Sequence, residues 1–141
     1  MSDRMIQEPD LKKSYLKRYR KNRELICRLK NKISKLDERM SSLRSPGLSD
    51  MPRGGTPVTF PDLLAERSEI EERIERLELK GRKLKAEILD KIDELEDSRY
   101  AEVLESYFVE CRDFGDIAED NGYTIRHVLR LYTEAINAMS V

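Results

Sequence analysis

A chain of 141 residues holds 27 Lys and Arg against 28 Asp and Glu, with 39% charged residues, 38% hydrophobic ones and nine aromatics. Globular domains average about 25% charged, so this excess argues against one uniform globular domain and predicts a small domain joined to long solvated helices. No apolar run approaches the roughly 18 residues that cross a bilayer, and no apolar core sits among the charges of the first residues; a cytoplasmic protein with no membrane partner is expected.

Residues 1–10 read as a flexible leader closed by Pro9. Residues 11–44 follow as a basic long helix: Leu25, Leu29, Ile33, Leu36, Met40 and Leu43 recur in steps of three and four, with no breaker between Leu11 and Leu43. At 1.5 Å per residue this is a rod of about 50 Å. From Asp10 to Lys35 eleven basic residues meet two acids, a local charge of +9 that leaves −10 for the rest. Local fields of this kind recruit polyanions, whatever the net total. Lys12, Lys13, Lys17, Arg18, Arg20, Lys21 and Arg23, interleaved with Tyr15 and Tyr19, form the candidate phosphate-binding surface.

Residues 45–60 are a Pro/Gly-rich loop, opened by Ser45-Pro46-Gly47 and continuing through Pro52-Arg53-Gly54-Gly55-Thr56-Pro57. Gly54-Gly55 lacks the following Gly-Lys-Ser/Thr of a phosphate-binding loop. Residues 61–97 form a second coiled-coil helix, with Leu63, Ile70, Ile74, Leu77, Gly81, Leu84, Ile88, Ile92 and Leu95 along its seam and Glu, Arg and Lys around it. Those charges are expected to form a solvated face. Gly81 replaces a seam leucine, which implies close approach of a partner helix or a bend. Two such rods joined by a loop fold most simply into an antiparallel hairpin; a parallel dimer of rods is the competing arrangement.

After Asp97-Ser98 the pattern shortens, and residues 98–141 read as a small helix-turn-helix domain. Val103, Leu104, Tyr107 and Phe108 share one face of a helix of about three turns. The last helix carries Ile125, Val128, Leu131, Tyr132, Ala135 and Ile136 as its apolar set. Between them, Ile117 is expected to pack inward and Ala118 to be small where the second helix crosses. Gly122 supplies the positive φ of a tight turn, and Thr124 caps the helix that follows. Asn121 stands where an apolar residue usually precedes the turn glycine.

This register turns Thr124, Arg126, His127, Arg130 and Thr133 outward, onto positions that enter a major groove in such modules. Arg bonds bidentately to guanine, and Thr or His reaches phosphates or base edges. An ordinary exposed helix surface accounts as well for Arg126 and Arg130, and a boundary position for His127. From Arg99 onward four basic residues meet eight acids, whereas DNA binding draws on positive surface. The first rod supplies the phosphate contacts, or else the module binds protein.

Cys27 and Cys111 are 84 positions apart and belong to no C-x-x-C pair, and one His completes no zinc site with them. Both are expected to be buried structural thiols. With no paired carboxylates or activated nucleophile in view, no enzyme, cofactor or metal is expected.

Met51-Pro52-Arg53-Gly54-Gly55-Thr56-Pro57, the Glu/Leu-rich coiled coil, Tyr100 and Tyr107, Phe114-Gly115-Asp116-Ile117-Ala118, Gly122-Tyr123-Thr124 and Val128-Leu129-Arg130-Leu131-Tyr132 together resemble a group of phage regulators. These are the ArpU- and RinA-like late-transcription regulators, whose C-terminus is similar to region four of sigma factors. The resemblance covers about residues 48–139, with Phe114 where sigma-like members often carry Trp. It implies a regulator, acting in the cytoplasm of a bacterial host, that recognises promoter DNA, RNA polymerase or both and activates late phage genes.

The expected protein is therefore all-α, a long antiparallel coiled-coil hairpin followed by a small helix-turn-helix domain. Its expected partners are double-stranded DNA and RNA polymerase, with a homodimer through the coiled coil as a further arrangement. The competing function is a coiled-coil interaction protein whose acidic C-terminal helices dock on a protein.

Overall fold

The computed structural model describes residues 8–44 and 59–140. They form five helices: α1 (Glu8–Arg44), α2 (Phe60–Asp93), α3 (Ser98–Phe108), α4 (Phe114–Asn121) and α5 (Ile125–Ala138). No strand occurs among the described residues, and no helix among them is long and apolar enough to cross a membrane. The Met51–Pro57 segment lies outside the described residues.

Two boundaries differ from expectation. Helix α1 takes in Glu8, Pro9 and Asp10, because a proline in the first turn lacks only an N–H that has no intrahelical partner there. Helix α2 stops at Asp93 rather than running to residue 97. Asp97 is extended (φ −81°, ψ 114°), and its carboxylate accepts from the Arg99 N–H at 2.9 Å. A residue that caps α3 in this way cannot also continue α2. At the other end of α2, Thr59 and Asp62 satisfy each other's backbone N–H groups at 3.2 and 3.3 Å, the reciprocal arrangement of a capping box. The Thr59 side chain, and after it the Thr59 N–H, holds the Asp62 carboxyl below its ordinary pKa.

The chain divides into two compact units, one of residues 24–80 and one that joins the residues before 24 to those from 81 onward. Within 24–80, α1 and α2 run antiparallel: Lys30 meets Glu78 at 3.8 Å and Asp37 meets Arg67 at 2.8 Å. Leu36, Met40 and Leu63 form the buried cluster, with Phe60 and Ile70 against it. Ile26 and Leu29 are buried too, whereas Leu25 and Ile33 are half-buried and Leu43 is exposed. Cys27 is exposed and Cys111 half-buried, so neither is the buried thiol expected. The helical stripe settles on Ile26 instead of its neighbour, and Cys27 rotates outward with Leu25 only partly covered.

The other unit contains the main core. Leu16 from α1, Ile88 and Ile92 from α2, and residues of α3, α4 and α5 share one cluster around Phe108. Here too α1 and α2 are antiparallel, since Tyr15 Oη donates to Glu87 at 2.5 Å while Asn22 lies against Gly81. A Cβ on Gly81 would stand 2.5 Å from Asn22 Oδ1. Close helix approach, one of the two readings of that glycine, is what the structure shows.

An aromatic group closes this core. Tyr107 stacks on Phe114 at 4.5 Å, and both meet Tyr132 edge-on at 5.4 and 5.0 Å. Such pairs add to the area that they bury. The Arg20 guanidinium covers the Tyr107 ring at 4.1 Å, reaches the Cys111 carbonyl at 3.4 Å and pairs with Asp113 at 3.6 Å. That carbonyl belongs to a left-handed residue (φ 59°) just past α3.

Candidate nucleic-acid interface

Helices α4 and α5 are joined by Gly122, Tyr123 and Thr124. Gly122 adopts φ 68°, ψ 27°, and Tyr123 N–H returns to the Ala118 carbonyl at 2.8 Å, closing the end of α4. Asn121 is exposed and its amide donates to the Ile117 carbonyl at 2.8 Å. The polar residue before the glycine thus satisfies a helix-end carbonyl instead of adding to the core. Ile117 and Ala118 are buried, and Val128, Leu131, Tyr132, Ala135 and Ile136 hold α5 against α3 and α4.

The Thr124 hydroxyl accepts from the His127 N–H at 3.1 Å. Capping α5 fixes this side chain, so one lone pair and the O–H proton remain for a ligand. Thr133 is exposed, but its hydroxyl donates to the Leu129 carbonyl at 2.9 Å. Arg126 is exposed and joins no hydrogen bond or ion pair among the described residues. Thr124, Arg126, His127 and Arg130 line one depression in the surface.

His127 is half-buried, edge-on to the Tyr123 ring at 4.7 Å, with Nδ1 3.1 Å from Arg130 Nη2. An arginine donates at that distance, so Nδ1 is the accepting nitrogen and the ring proton sits on Nε2. Arg130 also approaches Glu134 at 4.0 Å, and Glu134 accepts from Tyr100 Oη at 2.9 Å. That bond raises the Tyr100 pKa. Arg126 and Arg130 therefore differ: one guanidinium is unengaged and the other is oriented by two neighbours.

The basic residues of α1 divide in the same way. Lys12 donates to the Asn137 carbonyl at 3.4 Å, and Lys13 lies 5.7 Å from the Tyr132 ring. Arg18 lies over Tyr15 at 4.1 Å and pairs with Glu87 at 3.2 Å, an arrangement in which Tyr15 Oη holds the Glu87 carboxyl below its usual range. Arg20 is committed to Tyr107, Cys111 and Asp113, with its side chain 16% exposed. Arg23 has contacts of its own. Lys17 and Lys21 join no ion pair among the described residues. Periodicity and charge counts could not separate these two lysines from the arginines, because the partners come from residues 87–137.

Sequence reasoning overlooked the two apolar residues on the outward side. Ile125, grouped with the core set, is 54% exposed, and Leu129 is 42% exposed. They lie one turn apart, in sequence next to Arg126 and Arg130. A helical wheel drawn through Val128, Leu131 and Ala135 would have found Leu129. The acids of this region cluster on α4 and its cap, where Asp113, Asp116, Glu119 and Asp120 are all exposed. Among the described residues no cluster of His, Cys, Asp and Glu fits a metal ion. No family model matches the chain, and neither the curated proteins nor the solved structures contain a match to it.

Proposed function

We propose that this protein is a transcription regulator that docks α5 in the major groove of promoter DNA, acting as an activator of late phage genes alongside RNA polymerase. The observation that carries this is the α4–Gly122–α5 turn, which brings Thr124, Arg126, His127 and Arg130 together around one surface depression at the start of α5. The first turns of the second helix contact base edges in modules of this geometry. Arg126 is the guanine-reading side chain, His127 positions Arg130, and Lys17 and Lys21 supply phosphate contacts.

Fluorescence anisotropy with duplexes selected from host and phage genomic fragments tests the proposal across a salt series. Arg126→Ala is expected to weaken specific binding by about 1–3 kcal/mol while sparing non-specific binding. Lys17→Glu with Lys21→Glu is expected to weaken all sequences alike and flatten the logarithmic salt slope by about two. Binding that ignores both changes ends the proposal.

The exposed acids of α4 favour a second reading, in which the same helices dock on a basic surface of RNA polymerase without DNA. Retention of the protein by immobilised polymerase, abolished by Asp116→Lys with Glu119→Lys and insensitive to Arg126→Ala, would establish it.

A further inference from the structure

The outward side of α5 is mixed in character. Ile125 and Leu129, 54% and 42% exposed, lie one turn apart beside the two arginines. About half of each of these aliphatic residues stays in water on a helix whose packing is made by Val128, Leu131, Ala135 and Ile136. On a groove-reading helix they have a specific use. Within the major groove the one apolar group that a base pair offers is the C5 methyl of thymine, and side-chain carbons recognise it by contact.

Resting on the DNA-reading proposal above, we infer that Ile125 and Leu129 select thymine by its methyl group, next to the guanine chosen by Arg126. Four residues of helix advance about 6 Å, and successive bases on one strand are about 3.4 Å apart. The two side chains therefore span two to three base pairs. The preferred site is a short element mixing T with G, and a tract of G·C pairs alone is a poor ligand. The exposed positions of α5 that carry Ile125 and Leu129 also carry Arg126 and Arg130, and burying these guanidinium groups against an apolar protein groove would leave their charge poorly paired, which favours nucleic acid as occupant.

The test uses the full-length chain and a pool of random-sequence duplexes. The enriched duplex is resynthesised with deoxyuridine replacing each thymidine in turn, which deletes only the methyl group. Loss of one contacted methyl should weaken the parent about fourfold, at no more than two or three positions. Leu129→Ala and Ile125→Ala should each bind the thymidine and deoxyuridine forms of one position equally well. Thermal melts of both variants check folding, and if either fails to fold, the deoxyuridine series on the parent decides alone. Enrichment of a defined site that tolerates every deoxyuridine overturns the methyl inference and leaves the DNA-reading proposal standing. Absence of any enriched site overturns both, and assigns the apolar strip to a protein partner.

Discussion

In residues 24–80 two helices face each other across a seam whose buried cluster is Leu36, Met40 and Leu63, whereas the other unit gathers fourteen buried residues from five helices. A helix in a pair hides one narrow stripe and leaves its remaining circumference wet, so a gap left in the seam is easily relaxed. Side chains enclosed from several directions have no such freedom, and deletion there leaves a true cavity. One chain thus yields a region with shallow protection and another with a dense, aromatic core.

Truncation of the two cores measures this difference. Phe108→Ala, at a fully buried ring in contact with Tyr107 and Tyr132, is expected to cost about 3–5 kcal/mol in urea denaturation. Leu36→Ala should cost about 2 kcal/mol, the low end for its type, because the seam can close over it. Equal costs would mean that the helix pair is as tightly enclosed as the aromatic cluster.

Gly122 and Gly81 sharpen the contrast between backbone and packing demands. A Cβ on Gly122 would meet nothing within 4 Å, yet its φ of 68° is hostile to branched side chains. Gly122→Val should therefore destabilise by about 1–3 kcal/mol, while Gly122→Asn, which tolerates the left-handed region, loses far less. At Gly81 the backbone is helical and the obstacle is Asn22, with Oδ1 2.5 Å and Cγ 3.3 Å from the ideal Cβ. Overpacking of about 1–3 kcal/mol exceeds the gain of about 1 kcal/mol in helix propensity. Gly81→Ala should lower the melting temperature modestly, and Asn22→Ser should restore it.

One expected effect shows only at alkaline pH. Burial, followed by the charge of Tyr107 and partly offset by Arg20, pushes the Tyr132 phenol up to about 12 from 10.0. Because the folded protein holds that proton more tightly than the unfolded chain does, the stabilisation is whole below pH 10 and is lost as pH rises to about 12. Tyr132→Phe should flatten the fall in stability across that window in pH-dependent denaturation, leaving the residual slope of Tyr15 and Tyr100, whose phenols are also raised.

Much of this architecture is legible in the residues alone. The rods, the Gly122 turn and the Thr124 cap follow from local rules, since each is decided within a few positions of chain. Periodicity also marks Ile88 as an apolar seam position, but a seam does not say what covers it. That α1 supplies Leu16, Tyr15 and Tyr19 to a core built largely by residues beyond 97 depends on contacts across more than eighty positions. The site divides along the same line. Exposure of Arg126 follows from the helical register, whereas the engagement of Arg18 with Glu87 and of Arg20 with Asp113 does not.

Because Leu16, Ile88 and Ile92 are structural members of the C-terminal core, the last 44 residues are not a portable cassette. Grafted alone onto another protein, α3 to α5 would lose the three side chains that complete their core, and Tyr107 would lose its Arg20 lid. A chimera that exchanges α3 to α5 has to carry the adjoining parts of α1 and α2 with them. On the ribosome, Leu16 is made more than eighty residues before the α3–α5 side chains whose core it shares, so closure of that core waits for α5 to emerge.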